Sequence, residues 1–120
     1  MTIQECYEAI GGNYEEVLGR LQSEALIRKF TLKFLEDPSY LQLKLALENG
    51  NYEDAFRSAH TLKGVCQNLS FARLFESSSL VTKALKEDDW NKALDMMPQL
   101  SKDYHEIINA IEELKISKEE

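Results

Sequence analysis

Apolar residues recur every three or four positions along nearly the whole chain, and this helical period constrains the fold more than any other feature of the sequence. Only two prolines and five glycines interrupt the 120 residues. Runs that alternate apolar and polar residues, as a half-buried strand requires, are hard to find. The sequence therefore predicts an all-α protein.

Turn and cap residues divide this pattern into helices. The predicted helices are residues 2–10, 14–20, one that opens at Ser23, one that starts after Asp37-Pro38 and stops at Asn49-Gly50, 52–69, 71–86, and a long last one that follows Asp88-Asp89. Asn51 and Ser70 are the expected N-caps of the fifth and sixth helices, and Pro98 should kink or divide the last one. Because the last three helices are joined by short links, neighbouring helices must run antiparallel. We expect an up-and-down four-helix bundle with short extra N-terminal helices.

The length and composition suit one domain. A chain of 120 residues with 43% hydrophobic residues has the size and the apolar content of a single ordinary core. We expect residues 1–120 to form one self-standing domain, with a frayed tail at residues 116–120, where the apolar partners end.

The charge balance is acidic, with 14 Lys and Arg against 21 Asp and Glu and a formal net charge of −7. No cluster of Lys and Arg of the kind that binds a phosphate backbone is present, so nucleic acid is not an expected partner. No run approaches the ~20 apolar residues that span a bilayer, and the N-terminus lacks the pattern of a signal peptide. We expect a cytoplasmic protein without membrane insertion. Cys6 and Cys66 are expected to be reduced thiols, and a single disulfide between them stays open as an alternative without support.

The most informative segment is Ala-His-Thr-Leu-Lys-Gly at residues 59–64. On a helical wheel of about 100° per residue, the apolar face is centred near Ala59 and Cys66. His60 lies well round from that centre, toward solvent. The residues that share this outer strip are Glu53, Arg57, Gly64 and Gln67.

Gly64 is unusual because a glycine within a helix costs about 1 kcal/mol relative to alanine. It follows His60 by one turn on the same face, and so leaves space beside the imidazole for a second protein. Glycine also permits close helix packing, but the outer position of Gly64 argues against that role. Lys63 can direct its ammonium group toward a phosphoryl group on His60, and neutral imidazole is a competent nucleophile near neutral pH. These residue types at this spacing suit phosphoryl transfer.

At these residues the chain resembles the histidine phosphotransfer (HPt) family of bacterial and plant phosphorelays. The family signature Ala-His-x-Leu-Lys-Gly stands at residues 59–64. Further segments that agree with the family are Gly11-Gly12-Asn13, residues 34–37, residues 47–52 and Asn68-Leu69. The resemblance extends roughly from Ile3 to Leu114. It departs from the family at Ser70, where glycine is usual; because serine can cap the following helix, we expect the turn to persist.

The resemblance implies a function and a set of partners. His60 would be the phosphoacceptor, with Lys63 assisting the phosphoryl group and Gly64 providing access. Arg57 and Gln67 would contact the docked partner. The implied partners are response-regulator receiver domains and a hybrid histidine kinase. The chain would need no cofactor, since Mg²⁺ is expected on the receiver domain, and it would be a monomeric phosphocarrier without kinase activity of its own.

Two other interpretations remain open. A degenerate four-helix scaffold would bind receiver or kinase domains without phosphotransfer, and a phosphoacceptor module cut from a larger hybrid histidine kinase would have the same sequence features. Other candidate sites have less support. His105 has no matching motif, two isolated histidines do not form a metal site in a bundle, and no glycine-rich loop would hold ATP. The serines at residues 77–79 fit close helix packing better than nucleophilic chemistry.

Overall fold

The computed structural model describes residues 1–117, which contain helices and no strand. The helices are α1 (Ile3–Ala9), α2 (Tyr14–Leu21), α3 (Glu24–Lys33), α4 (Ser39–Glu48), α5 (Tyr52–Leu69), α6 (Ala72–Lys86) and α7 (Trp90–Ile116), with a 3₁₀ turn at Phe34–Glu36. The prediction of an all-α protein is confirmed.

Helices α4 to α7 form a four-helix bundle in which each helix packs against the next. The short links between them make neighbouring helices antiparallel. Aromatic contacts join α4 to α7: the rings of Tyr40 and Tyr104 stack with their centroids 3.9 Å apart, and the Tyr40 hydroxyl donates a hydrogen bond to Ser101 Oγ at 2.8 Å. The predicted up-and-down bundle with short N-terminal helices is therefore confirmed.

The N-terminal helices fasten the C-terminal end of α5. The hydroxyl of Tyr7 donates a hydrogen bond to the carbonyl of Leu69 at 2.7 Å, and the guanidinium of Arg20 donates to the carbonyl of Asn68 at 2.8 Å. A backbone N–H of the α1–α2 turn adds a further bond to the residue that ends α5. The last carbonyls of a helix have no partner within the helix, so these bonds satisfy them and hold α5 in place.

Side-chain caps fix several helix starts where the sequence predicted them. The Asn51 side chain accepts a hydrogen bond from the backbone N–H of Asp54 at the start of α5. The Asp89 side chain likewise accepts a hydrogen bond from a backbone N–H in the first turn of α7. Asp37 accepts a bond from the N–H of Ser39 at 2.9 Å, which places a new helix directly after Pro38.

Ser70 does not cap α6, and that prediction is wrong. It ends α5 in the left-handed conformation, with φ +57°, while Phe71 precedes α6 without a side-chain cap. The Ser70 hydroxyl donates to Glu16 Oε1 at 2.6 Å and accepts from Arg20 at 3.0 Å. Glycine adopts this conformation without steric cost, which accounts for its usual presence at this point of the HPt pattern.

Pro98 does not divide the last helix, which runs without a break from Trp90 to Ile116. Proline removes one hydrogen bond of the helix and has no N–H to replace it. Pro98 is exposed, so water can satisfy the carbonyl that loses its donor.

The two ends of the described chain meet. Of the tail predicted to fray, residues 116–120, Ile116 is the last residue of α7, and Ser117 Oγ accepts a hydrogen bond from the amine of Met1 at 2.8 Å. Residues 118–120 lie outside the described residues. Within residues 1–117, no helix combines the length and the hydropathy that a bilayer crossing requires.

Both cysteines are free thiols inside the core, so the disulfide alternative is not realised. Burial, with a smaller contribution from the Glu113 carboxylate, raises the pKa of Cys6 to about 11. Burial also raises the pKa of Cys66. Thiols held in the neutral form are poor nucleophiles and poor metal ligands, which leaves these two side chains a packing role.

Candidate functional site

The candidate site lies on α5, which buries one face and exposes the other. The buried face consists of Ala55, Ser58, Ala59, Leu62, Cys66 and Leu69. His60 is exposed on the opposite face. Because α5 packs between α4 and α6 and is fastened at its C-terminal end, the exposed histidine stands on a rigid support.

Within the described part of the chain, the imidazole of His60 has one ring contact, and it is with Phe56. Phe56, one helical turn earlier, stacks on it with ring centroids 6.0 Å apart and ring planes 20° apart. Neither ring nitrogen of His60 has a hydrogen-bond partner within the described residues 1–117. Both nitrogens are therefore available to a molecule that approaches from outside.

Lys63 occupies one flank of the histidine and is half-buried. No ion pair joins it to a carboxylate within the part of the chain that the structure describes. Helical geometry places it about 60° from His60, close enough for a long side chain to swing toward an anionic group on the imidazole. No carboxylate of residues 1–117 therefore neutralises its ammonium charge.

Gly64 leaves open space beside the imidazole. A Cβ atom built on Gly64 would have no heavy atom within 4 Å outside its own stretch of helix. The glycine therefore does not serve close helix packing. A larger side chain at this position would obstruct an incoming molecule rather than clash with this protein. Gly19 in α2 is open in the same way, so openness alone does not mark a site; the distinction of Gly64 is its place one turn from His60.

The two predicted docking residues lie on different parts of the outer surface. Arg57 is 70% exposed and pairs with Asp54 at 2.9 Å, beside a groove of about 360 Å³ between α4 and α5. Gln67 is exposed and lines a separate cleft of about 270 Å³ formed with residues of α2 and α6. The structure thus brings His60, Lys63 and Gly64 together at the centre, with Arg57 and Gln67 on either side.

The helical spacing of apolar residues counts Tyr52 and Phe56 among the apolar positions of α5. This holds for Phe56, which packs against the core at its edge, and fails for Tyr52. Tyr52 is 37% exposed and Phe56 is half-buried. Their rings stack at 6.5 Å with planes 12° apart, and the stack continues to His60. The spacing of four residues between each pair is the sequence signal for this ring ladder.

His105 is held in a different way from His60. Its Nδ1 lies 2.8 Å from the carbonyl of Ser101, to which it donates, and its ring meets the rings of Tyr40 and Tyr104 edge-on at 5.6 and 5.3 Å. A hydrogen bond and two ring contacts fix this imidazole against α7. The structural reading of His105 agrees with these contacts.

Comparison with known proteins supports the resemblance for the bundle. The model of the Hpt domain family matches residues 36–115, two thirds of the 120-residue chain. No curated protein and no solved structure matches the chain. The matched range includes residues 59–64 and helices α4 to α6, and it begins after α3, so the family resemblance that the sequence suggested for residues 3–35 is not covered. On this match, the chain belongs to the Hpt domain family, whose members are phosphocarrier modules that transfer phosphoryl groups through phosphohistidine in phosphorelays.

Proposed function

We propose that this protein accepts a phosphoryl group on His60 from the aspartyl phosphate of one receiver domain and passes it to the aspartate of another. The observation that carries the proposal is the accessibility of His60: its imidazole is exposed, neither ring nitrogen has a partner among residues 1–117, and it lies in the range matched by the Hpt family. The rest of the bundle provides a rigid platform for it.

The two proteins would together supply every group that the transfer needs. A lone pair on an imidazole nitrogen attacks phosphorus in line; the N–P bond forms as the acyl O–P bond breaks, and the aspartate carboxylate leaves with the bonding electrons. The reverse step returns the phosphoryl group to a second aspartate. Phosphoryl transfer depends mainly on positioning and charge stabilisation. We assign Mg²⁺ to the receiver domain and no cofactor to this chain.

Lys63 and Gly64 fit supporting roles in this step. The ammonium of Lys63 would neutralise part of the phosphoryl charge by a charge-assisted hydrogen bond. The open position at Gly64 would admit the receiver surface beside the imidazole. Arg57 and Gln67, on either side, would meet the periphery of the docked partner, where charged and polar contacts affect association more than chemistry. We further propose that the protein works as a monomer, in the cytoplasm, with a hybrid histidine kinase upstream.

The chain contains two histidines, and this allows a sharp test. Purified protein is mixed with a receiver domain that carries labelled aspartyl phosphate, and the acid-labile, base-stable label on this chain is followed over time. We expect His60→Gln to abolish labelling. His105→Gln is the matched control, because it removes the other imidazole, and we expect it to label like the wild type.

The alternatives appear as other outcomes of the same experiment. Unchanged labelling after His60→Gln would reject the assignment. Receiver binding without any labelling of the wild-type chain would favour the scaffold interpretation instead.

A further inference from the structure

Among the residues that the structure describes, none gives the imidazole of His60 the polar anchor that orients many reactive histidines. In such sites a carbonyl or carboxylate accepts a hydrogen bond from one ring nitrogen, and this fixes the direction of the other. His105 has such an anchor in the Ser101 carbonyl. His60 has none within residues 1–117, so something else must restrict its ring if the nitrogen is to point toward a partner.

Phe56 is placed to restrict it. Side chains on an α-helix lean toward the N-terminus, over the preceding turn. The imidazole of His60 therefore leans toward Phe56 and away from Gly64, and the 6.0 Å centroid separation with a 20° angle between planes is an offset stack. The imidazole thus has an aromatic neighbour on one side, while the side toward Gly64 stays open.

Phe56 is itself held in place. It is half-buried against the core, and on its other side Tyr52 stacks on it with planes 12° apart. A ring packed in this way has few orientations available, so it can limit those of the imidazole that lies on it. Through the successive stacks of Tyr52, Phe56 and His60, the fixed orientation of the first two rings restricts the orientation of the imidazole.

We propose that Phe56 is a positioning residue for phosphoryl transfer: its ring fixes the plane of the His60 imidazole and so the direction of the attacking nitrogen. This inference rests on the proposed function of His60. It requires no contact between Phe56 and the phosphoryl group. It predicts that loss of the aromatic ring slows the transfer step without removing it.

The test separates the transfer step from docking. Single-turnover transfer from a phosphorylated receiver is measured at increasing receiver concentration for the wild type, Phe56→Leu and Phe56→Tyr. We expect Phe56→Leu to lower the maximal rate about three- to tenfold, because the imidazole then samples unproductive orientations. We expect Phe56→Tyr, which keeps the ring, to restore the wild-type rate.

The outcomes distinguish this inference from the proposed function. If the wild type labels His60 and Phe56→Leu reaches the same maximal rate, the positioning role is rejected, even where the half-saturating concentration rises. If His60 is not labelled in the wild type, the proposed function itself fails.

A spectroscopic measurement covers the case in which Phe56→Leu does not fold. Ring protons of Phe56 and His60 in the wild-type protein are expected to show mutual cross-relaxation in an NMR spectrum, and the His60 ring protons are expected to be shielded relative to those of an unstructured histidine. Absence of both signs would show that the stack does not persist in solution and would overturn the inference.

Discussion

Gly64 has opposite consequences for the stability of α5 and for the approach of a partner. A glycine in mid-helix is less favourable than alanine by about 1 kcal/mol, and a Cβ at Gly64 meets no neighbour within 4 Å. We expect Gly64→Ala to raise the free energy of unfolding by about 0.5–1 kcal/mol, as measured by urea denaturation. The larger Gly64→Gln is expected to lower the rate of label transfer from a receiver by about tenfold or more, since it would fill the space beside His60.

Gly19 provides the matched control for that prediction. It lies inside α2 and is equally open, but it is not on the helix that carries His60. Gly19→Ala should stabilise the protein by a similar amount, and Gly19→Gln should leave transfer unchanged. Wild-type transfer by Gly64→Gln would mean that the partner does not approach over this glycine.

At this scale the sequence predicted the placement of His60 and Gly64 on the helix better than their surroundings. The exposure of His60 and the open outer position of Gly64 follow from helical periodicity alone, because a helix fixes the direction of each side chain. The stack on Phe56 does not follow, since periodicity cannot tell a half-buried aromatic residue at the edge of the apolar face from a core residue. The ion pair of Arg57 with Asp54 also depends on a rotamer choice that the sequence leaves open.

Helix boundaries were predictable where the cap residue acts on its own helix and not where a distant helix decides its role. Asn51 acts as the expected N-cap of α5, and α7 starts after Asp88-Asp89 as predicted, with Asp89 as its N-cap. Serine occurs both as an N-cap and at the C-terminus of a helix. Ser70 lies at the C-terminus of α5 because α2 supplies both an acceptor and a donor for its hydroxyl. That long-range contact is not visible in the local sequence.

The left-handed backbone of Ser70 gives a prediction for the end of α5. Residues with a Cβ are strained in this conformation by about 1–2 kcal/mol, and glycine is not. Both Ser70→Ala and Ser70→Gly lose the hydroxyl that contacts Glu16 and Arg20, so both should be less stable than the wild type. We expect Ser70→Gly to be more stable than Ser70→Ala by about 1 kcal/mol in urea denaturation.

The opposite order is expected at Ser79, inside α6. There the backbone is helical and the hydroxyl bonds to the carbonyl of Phe75 at 2.6 Å. Alanine should be more stable than glycine at this position by about 1 kcal/mol. If alanine were also the better residue at position 70, the left-handed assignment of the α5 terminus would be wrong.

For the whole molecule, composition and periodicity predicted the architecture. The packing of helices α1 to α3 against the four-helix bundle became visible only in the structure. The Hpt match begins at residue 36, so α1 to α3 lie outside it. These helices nevertheless share one core with the bundle: Tyr7 is fully buried, and its ring lies 5.6 Å from that of Phe71. Because they also hold the end of α5, the N-terminal helices act as part of the support on which His60 stands.

This shared core links the stability of the molecule to alkaline pH. Desolvation raises the pKa of Cys6 in α1 from 9.0 to about 11 and that of Tyr7 from 10.0 to about 12. Between the unfolded and the folded values, the unfolded chain has released protons that the folded chain still holds, so rising pH favours unfolding. The free energy of unfolding should be insensitive to these groups below about pH 8 and should fall as the pH rises through the unfolded pKa of 9.0 toward 11.

Cys6→Ala tests the contribution of the thiol. Removal of a buried sulfur should make the variant less stable than the wild type at pH 7, but the variant has lost one group whose ionisation favours the unfolded state. The difference between the two unfolding free energies should therefore be constant from pH 7 to 8 and should shrink as the pH approaches 11. Urea denaturation at each pH measures both curves. Cys66 contributes to both proteins alike, and Cys6 is a smaller cause of the raised pKa of Tyr7 than burial is. Parallel curves up to pH 11 would show that the Cys6 thiol titrates alike in the folded and unfolded chains, and would place α1 outside the dry core.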